Sequence, residues 1–191
     1  MLLYLHGFCS SPASAKTRRL RVHMEAWGLE AEYWCGQLPV SAAEAMTMVE
    51  AVIARCDTPP TLMGSSLGGY YATVLAEKHG LKAAVINPVV WSALDTQLFL
   101  GEQVHFHSGE RFLFTDAHVA ELCSLDVPAI TRPERYWLLA EEGDEVLDCA
   151  AAVKHYAGAR QTVLPGGNHS FTRFDDYLDE LLEFAGLQEE S

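Results

Sequence analysis

The run Met63-Gly64-Ser65-Ser66-Leu67-Gly68-Gly69 sets a serine between two glycines as G-x-S-x-G. An apolar stretch precedes it and a helical pattern follows. In that context the glycines permit a sharp turn from strand to helix that presents the Ser66 hydroxyl at a sheet edge. A hydroxyl so presented can attack an acyl carbon once a neighbouring base takes its proton. The competing use of such a run, a phosphate-cradling loop, needs G-x-G-x-x-G or G-K-[ST], and neither is present.

A serine nucleophile of this kind is followed along the chain by an acid and then a histidine. His79, His105, His107, His118, His155 and His169 follow Ser66. His79 and His155 read as helix C-terminal residues able to cap carbonyls. His105 and His107 form an H-x-H without supporting carboxylate or cysteine spacing for a metal. His118 has no strand before it. His169 stands in Pro165-Gly166-Gly167-Asn168-His169-Ser170, a small-residue loop directly after an apolar stretch, and is the expected base. For the acid, Ala140-Glu141-Glu142-Gly143-Asp144-Glu145 closes another apolar run. Asp144 is the expected acid, with Glu141 or Glu142 as fallback and helix N-capping as its competing role. Glu145 and Asp148 read as first-turn acids of the next helix. Developing oxyanion charge requires two amides. The Leu67 N–H, at the start of the helix after Ser66, is one, and the Phe8 N–H, in Leu5-His6-Gly7-Phe8-Cys9, is the other. His6 reads as a structural hydrogen-bonding residue of that loop, and Cys9 as packing.

These loops require elements to carry them. Apolar runs at Leu2–Leu5, Ala31–Cys35, Thr61–Met63, Leu81–Ile86, Tyr136–Ala140 and Gln161–Leu164 read as strands. Helical spacing marks Ala13–Trp27, a helix capped by Ser41 with Glu44 in a capping box, Ser66–His79, Val146–Tyr156 and Phe171–Phe184. Strand–helix alternation predicts a doubly wound, mostly parallel sheet of about six strands with helices on both faces. Ligands in such sheets lie beyond the carboxyl ends of the strands, where Ser66, Asp144 and His169 fall. The expected organisation is one domain over 1–191. Residues 89–133 form a variable, lid-like segment of short helices and loops, with a hairpin near Ser108-Gly109. The acidic tail Gln188–Ser191 is expected to fray.

Composition bounds the partners. The chain has 191 residues and is 49% hydrophobic, so it can build its own core. Its net charge of −13 disfavours nucleic acid and anionic lipid surfaces. Lys16, Arg18, Arg19 and Arg21 form a local basic run, read as a solvated helix face or a phosphate contact. Five widely spaced cysteines without a CxxC pair are expected to be free thiols in a reducing cytoplasm. Neither a signal peptide nor a membrane span is expected.

The segments LLYLHGFCSSPASAK, GSSLGGYYAT, GDEVLD and RQTVLPGGNHSFTRFDDY, spread over nearly the whole chain, resemble the α/β-hydrolase superfamily. More closely they resemble the small bacterial YqiA/YcfP-type esterases, the UPF0227 group. The resemblance implies a compact serine esterase lacking a large cap domain and acting on short- to medium-chain acyl esters. It carries Ser66, Asp144 and His169 into a catalytic triad, puts Phe8 and Leu67 at the oxyanion hole, and implies no cofactor and no metal. A small-molecule acyl ester or thioester is the expected partner. An acyl-CoA or other thioesterase is the alternative within enzymes, and a non-catalytic binding protein on the same fold is the alternative from another class. The short chain reads as a hydrolase sheet trimmed of its leading strands.

Overall fold

A computed structural model of the chain describes residues 1–188. The last residues of the tail expected to fray, 189–191, lie outside the described residues. The sequence begins in strand β1 (Leu2–Leu5), followed by helix α1 (Ala15–Ala26), strand β2 (Tyr33–Trp34), helix α2 (Ala42–Ile53), strand β3 (Thr61–Ser65), helix α3 (Leu67–His79) and strand β4 (Lys82–Ile86). A hairpin of β5 (Gly101–Val104) and β6 (Arg111–Phe114) comes next, then α4 (Asp116–Ser124), β7 (Tyr136–Glu141), α5 (Cys149–His155), β8 (Arg160–Leu164) and α6 (Leu178–Phe184).

Six strands form one sheet in the order β2-β1-β3-β4-β7-β8, and every pairing in it is parallel. The doubly wound parallel architecture legible in the apolar runs is the one observed. Alternate residues of each strand serve opposite faces. Leu3, Leu5, Leu62, Val85, Leu138 and Ala140 pack with α2, α3 and α5. Leu2, Tyr4, Met63, Ile86, Trp137 and Leu139 pack with Leu20 and Met24 of α1 and Leu178, Leu181 and Leu182 of α6. Burial on both faces explains why these strands read as unbroken apolar runs.

The hairpin also appears where expected, with β5 and β6 antiparallel and Gly109 at φ 72° in their connection. Its inward residues Phe112 and Phe114 pack on the first of the two cores.

Several element ends and one helix cap differ from the sequence reading. Residues Glu30–Glu32 form a 3-10 turn, so β2 shrinks to a two-residue edge strand. Ser41 caps α2 through the Glu44 amide, but its hydroxyl donates to Glu121 of α4. The capping box belongs to Thr115 and His118 at α4 instead. Helix α5 starts at Cys149, capped by Asp148, because Asp144 takes the amides of Val146 and Leu147 in a tight turn. The final helical stretch is split, with a 3-10 turn at Phe174–Tyr177 before α6.

Candidate active site

Ser66 stands between β3 and α3 with φ 57° and ψ −122°, a backbone conformation that a serine enters at a cost of about 1–3 kcal/mol. The surroundings hold it there. Its N–H donates to the Ile86 carbonyl at 3.0 Å, and its carbonyl accepts from Gly69 at 3.0 Å and Val89 at 3.1 Å. The flanking glycines are steric requirements. A Cβ on Gly68 would strike the Leu5 carbonyl, and one on Gly64 would strike the Gly68 carbonyl. Close approach of α3 to the ends of β1 and β3 is thus what turns the chain and exposes the hydroxyl.

Three of the expected residues meet. The Ser66 hydroxyl lies 3.0 Å from His169 Nε2, and His169 Nδ1 lies 2.8 and 3.0 Å from the two Asp144 carboxylate oxygens. This pattern fits Nδ1–H donating to Asp144 and Nε2 accepting from the serine. The Asp144 side chain is 2% exposed and that of His169 24%. Burial alone would raise the Asp144 carboxyl. The hydrogen bonds from His169, Leu147 and Val146 outweigh it and hold the group below its ordinary value. Asp144 therefore faces the imidazole and orders a turn, while the helix N-cap, its competing role, falls to Asp148.

Phe8 and Leu67 line the same cavity as Ser66 and His169, a space of about 210 Å³. Val89, Leu94, Phe99, Phe114, Leu122 and Leu147 make the rest of that cavity apolar. The Phe8 ring meets Phe99, Phe112 and Phe114 edge-on at 5.7, 5.9 and 5.0 Å, which fixes the loop bearing its amide. Leu67 is the first residue of α3, so its amide lies at a helix N-terminus. His6 supports the loop from beneath. Its Nε2 accepts from the Leu38 amide and its Nδ1 donates to the Gly7 carbonyl, both at 3.0 Å, while burial lowers its basicity.

On its other side Ser66 borders a second cleft of about 530 Å³, lined also by Lys16, Arg19, His107 and Ser170 together with Phe106 and Phe171. Arg18 and Arg21 of the basic run do not reach it. Lys16 Nζ donates to the Ser170 carbonyl at 2.6 Å, and burial pushes its ammonium down to about 8 against the pull of Glu141 and Asp144.

A family model described as an uncharacterised protein family, UPF0227, matches residues 1–186. The chain belongs to the UPF0227 family. Its fold is that of the α/β-hydrolases. The structure of the mouse alpha/beta hydrolase domain-containing protein 10 is similar, with 14% identity and TM-score 0.65 over 95% of this chain and 89% of that one. An esterase domain from Rhodothermus marinus matches with 20% identity and TM-score 0.67 over 96% and 85%. A monoacylglycerol lipase from Paleococcus ferrophilus matches with 13% identity and TM-score 0.69 over 96% and 93%.

Other expected roles in this UPF0227 chain fall elsewhere. Glu145 is not in a helix; its carboxylate accepts from the His169 amide at 3.0 Å. His79 contacts Glu50, His105 lies tilted against Phe112 with ring centroids 4.7 Å apart, and His118 caps α4. Glu141, the fallback acid, points away from the imidazole into the loop that carries it. That carboxylate is fully buried and accepts from Asn168 N at 2.8 Å, Thr172 N at 3.0 Å, Thr172 Oγ1 at 2.9 Å and Arg173 Nε at 3.1 Å. Burial would raise it, but the Thr172 and Asn168 amides and the other donors together bring it to about 2. Asn87, to which the sequence reading assigned no role, directly follows β4 and is buried at φ 39°, where asparagine is among the more tolerant residues. Among the described residues no cluster of three or more His, Cys, Asp or Glu side chains is placed to hold a metal, and no helix is long and apolar enough to cross a membrane.

Proposed function

We propose that the protein is a serine carboxylesterase that cleaves short- to medium-chain acyl esters through an acyl-enzyme intermediate. The observation that carries this reading is the unbroken hydrogen-bond chain from Asp144 through His169 to Ser66 at the mouth of an apolar cavity. In this reading the acyl chain enters the cavity and its carbonyl carbon meets Ser66 Oγ. His169 Nε2 takes the serine proton as the new C–O bond forms, and Asp144 stabilises the imidazolium and fixes its tautomer. The Leu67 and Phe8 amides receive the oxyanion. His169 then protonates the departing alcohol, and a water activated by the same imidazole releases the acid. The hydrogen-bonded residues suffice for each of these steps without a cofactor. Residues 89–133 act as cover for the acyl cavity within a single 1–191 domain, supported by Val89, Leu94, Phe99, Phe114 and Leu122 in its wall. The five cysteines, all free, fit a reducing cytoplasmic setting.

The test is a graded series of p-nitrophenyl acyl esters together with a fluorophosphonate probe. Wild type should hydrolyse the shorter esters and label at Ser66. Ser66→Ala should lose labelling and about 10⁴-fold or more of kcat. An Ala variant with an unchanged rate would overturn the assignment, and an unlabelled wild type would favour a binding protein. A thioester with an anionic leaving group is a second reading, favoured by Lys16 and Arg19 in the second cleft beside Ser66. Its mark would be a KM for acyl-CoA that rises with salt and loses that dependence in Arg19→Glu.

A further inference from the structure

The loop before His169 has little structure of its own. Gly166 and Gly167 stand at φ 67° and 74°, where the backbone is permissive, and residues 165–173 lie between β8 and the 3-10 turn that starts at Phe174. Side chains from elsewhere hold it: Glu145 takes the His169 amide and Lys16 the Ser170 carbonyl, and two buried residues, Asn87 and Glu141, take the rest. Asn87, directly after β4, accepts from the Glu141 amide at 3.0 Å through Oδ1. Its Nδ2 donates to the carbonyls of Asn168 and His169, each at 3.1 Å. Glu141, the last residue of β7, takes the amides of Asn168 and Thr172 and the Thr172 hydroxyl. The amide and carbonyl of Asn168 are thus both held, and the His169 carbonyl is held as well. The peptide planes on both sides of the His169 Cα are held by hydrogen bonds that do not involve the imidazole. Gly167 belongs to the same arrangement, since a Cβ there would occupy the position of the Glu141 carboxylate.

We propose that Glu141 and Asn87 are positioning residues that act as a pair on the backbone of Asn168 and His169 and so determine where the imidazole stands between Ser66 and Asp144. This rests on the reading of His169 as the general base. The hydrogen bonds of the pair reach neither the serine nor the imidazole nitrogens, so its effect passes through backbone placement. A carboxylate suits the position because it only accepts, and the groups facing Glu141 from the His169 loop are all donors. Ionisation persists through the working range, since the group is held at about 2. A glutamine there would turn an N–H₂ toward N–H donors and release part of the loop. Displacement of a reacting group by around 1 Å costs on the order of 100-fold in rate, so partial release is expected to show chiefly in turnover.

The experiment compares wild type, Glu141→Gln, Thr172→Val and Glu142→Gln on a short p-nitrophenyl ester. Fluorophosphonate titration counts competent sites, so kcat is expressed per titrated site. Glu141→Gln should lower kcat per site about 10- to 100-fold with KM within about two-fold, and should move the acidic limb of the pH–rate profile. Thr172→Val removes a single hydroxyl contact with little change in shape. It should lower kcat per site by less, about 2- to 5-fold, and keeps the test open if Glu141→Gln does not fold. Glu142→Gln, on an exposed neighbour, should match wild type. A merely structural role would reduce the number of titrated sites and leave kcat per site and the acidic limb unchanged; that result overturns the positioning role. Failure of wild type to label would instead overturn the base reading, and the positioning role with it.

Discussion

The serine turn and the histidine loop meet at one hydrogen bond but are built in opposite ways. Backbone contacts and missing side chains hold the turn at Ser66: Gly64 and Gly68 let β1, β3 and α3 crowd together, and main-chain bonds to Ile86, Gly69 and Val89 complete it. Side chains reaching from elsewhere hold the loop at His169, namely Asn87, Glu141, Glu145 and Lys16. The first is specified by a short local run. The second is specified by residues 24 to 154 positions away in sequence. A rigid nucleophile can come from close backbone packing and main-chain hydrogen bonds, whereas a base needing a set orientation toward two partners is anchored by side chains at many points.

That contrast can be broken from either side. Gly68→Ala should be the most damaging change in the turn, costing upward of about 3 kcal/mol, because the added methyl meets backbone that no rotamer change can relieve. Thermal unfolding would check it, and a transition within a few degrees of wild type would refute the steric account. Asp144→Asn leaves the shape of the site but favours the wrong imidazole tautomer. A fall of roughly 10⁴-fold in kcat is expected, with the fold retained. If Glu142→Gln falls so far and Asp144→Asn does not, the acid is misassigned.

Acid unfolding sharpens the contrast further. Glu141 sits at about 2 in the fold against an ordinary value of 4.5, so its stabilisation is full above pH 4.5 and is lost as pH falls through 2. The integrated effect is on the order of 3 kcal/mol. Glu141→Gln should flatten the fall of unfolding free energy across that window, measured by denaturant titration at successive pH values. An unchanged slope would mean that the carboxylate is not held as described. The smallest effect belongs to Glu142→Gln, whose stability should stay within about 0.5 kcal/mol of wild type.

The same division explains what could be read from the sequence. The six sheet strands, the hairpin and the Ser66 turn each have a local signature, whether an apolar run, a turn pair or G-x-S-x-G, and all appear in the structure. Asp144 and His169 were legible from their strand-end positions, and the structure brings His169 to Ser66 and Asp144 to His169. Glu141 and Asn87 were not legible as loop anchors. A glutamate after an apolar run looks the same whether it faces solvent or a buried loop, and its donors lie 27 to 32 positions downstream. Helix α5 began late for a related reason: the turn at Asp144 claims amides that local periodicity assigned to a helix.

The strand order has a consequence for folding. Ser66, Asp144 and His169 follow β3, β7 and β8, and the pairs that bring them together, β3–β4, β4–β7 and β7–β8, are all parallel and non-local. Long-range pairing of this kind is slow, because chain closure is unfavourable until the contacts form. The nucleophile turn can form early, but it stays silent until the outermost pair, β7–β8, delivers the histidine loop. Appearance of probe-reactive Ser66 during refolding therefore times the completion of that edge of the sheet.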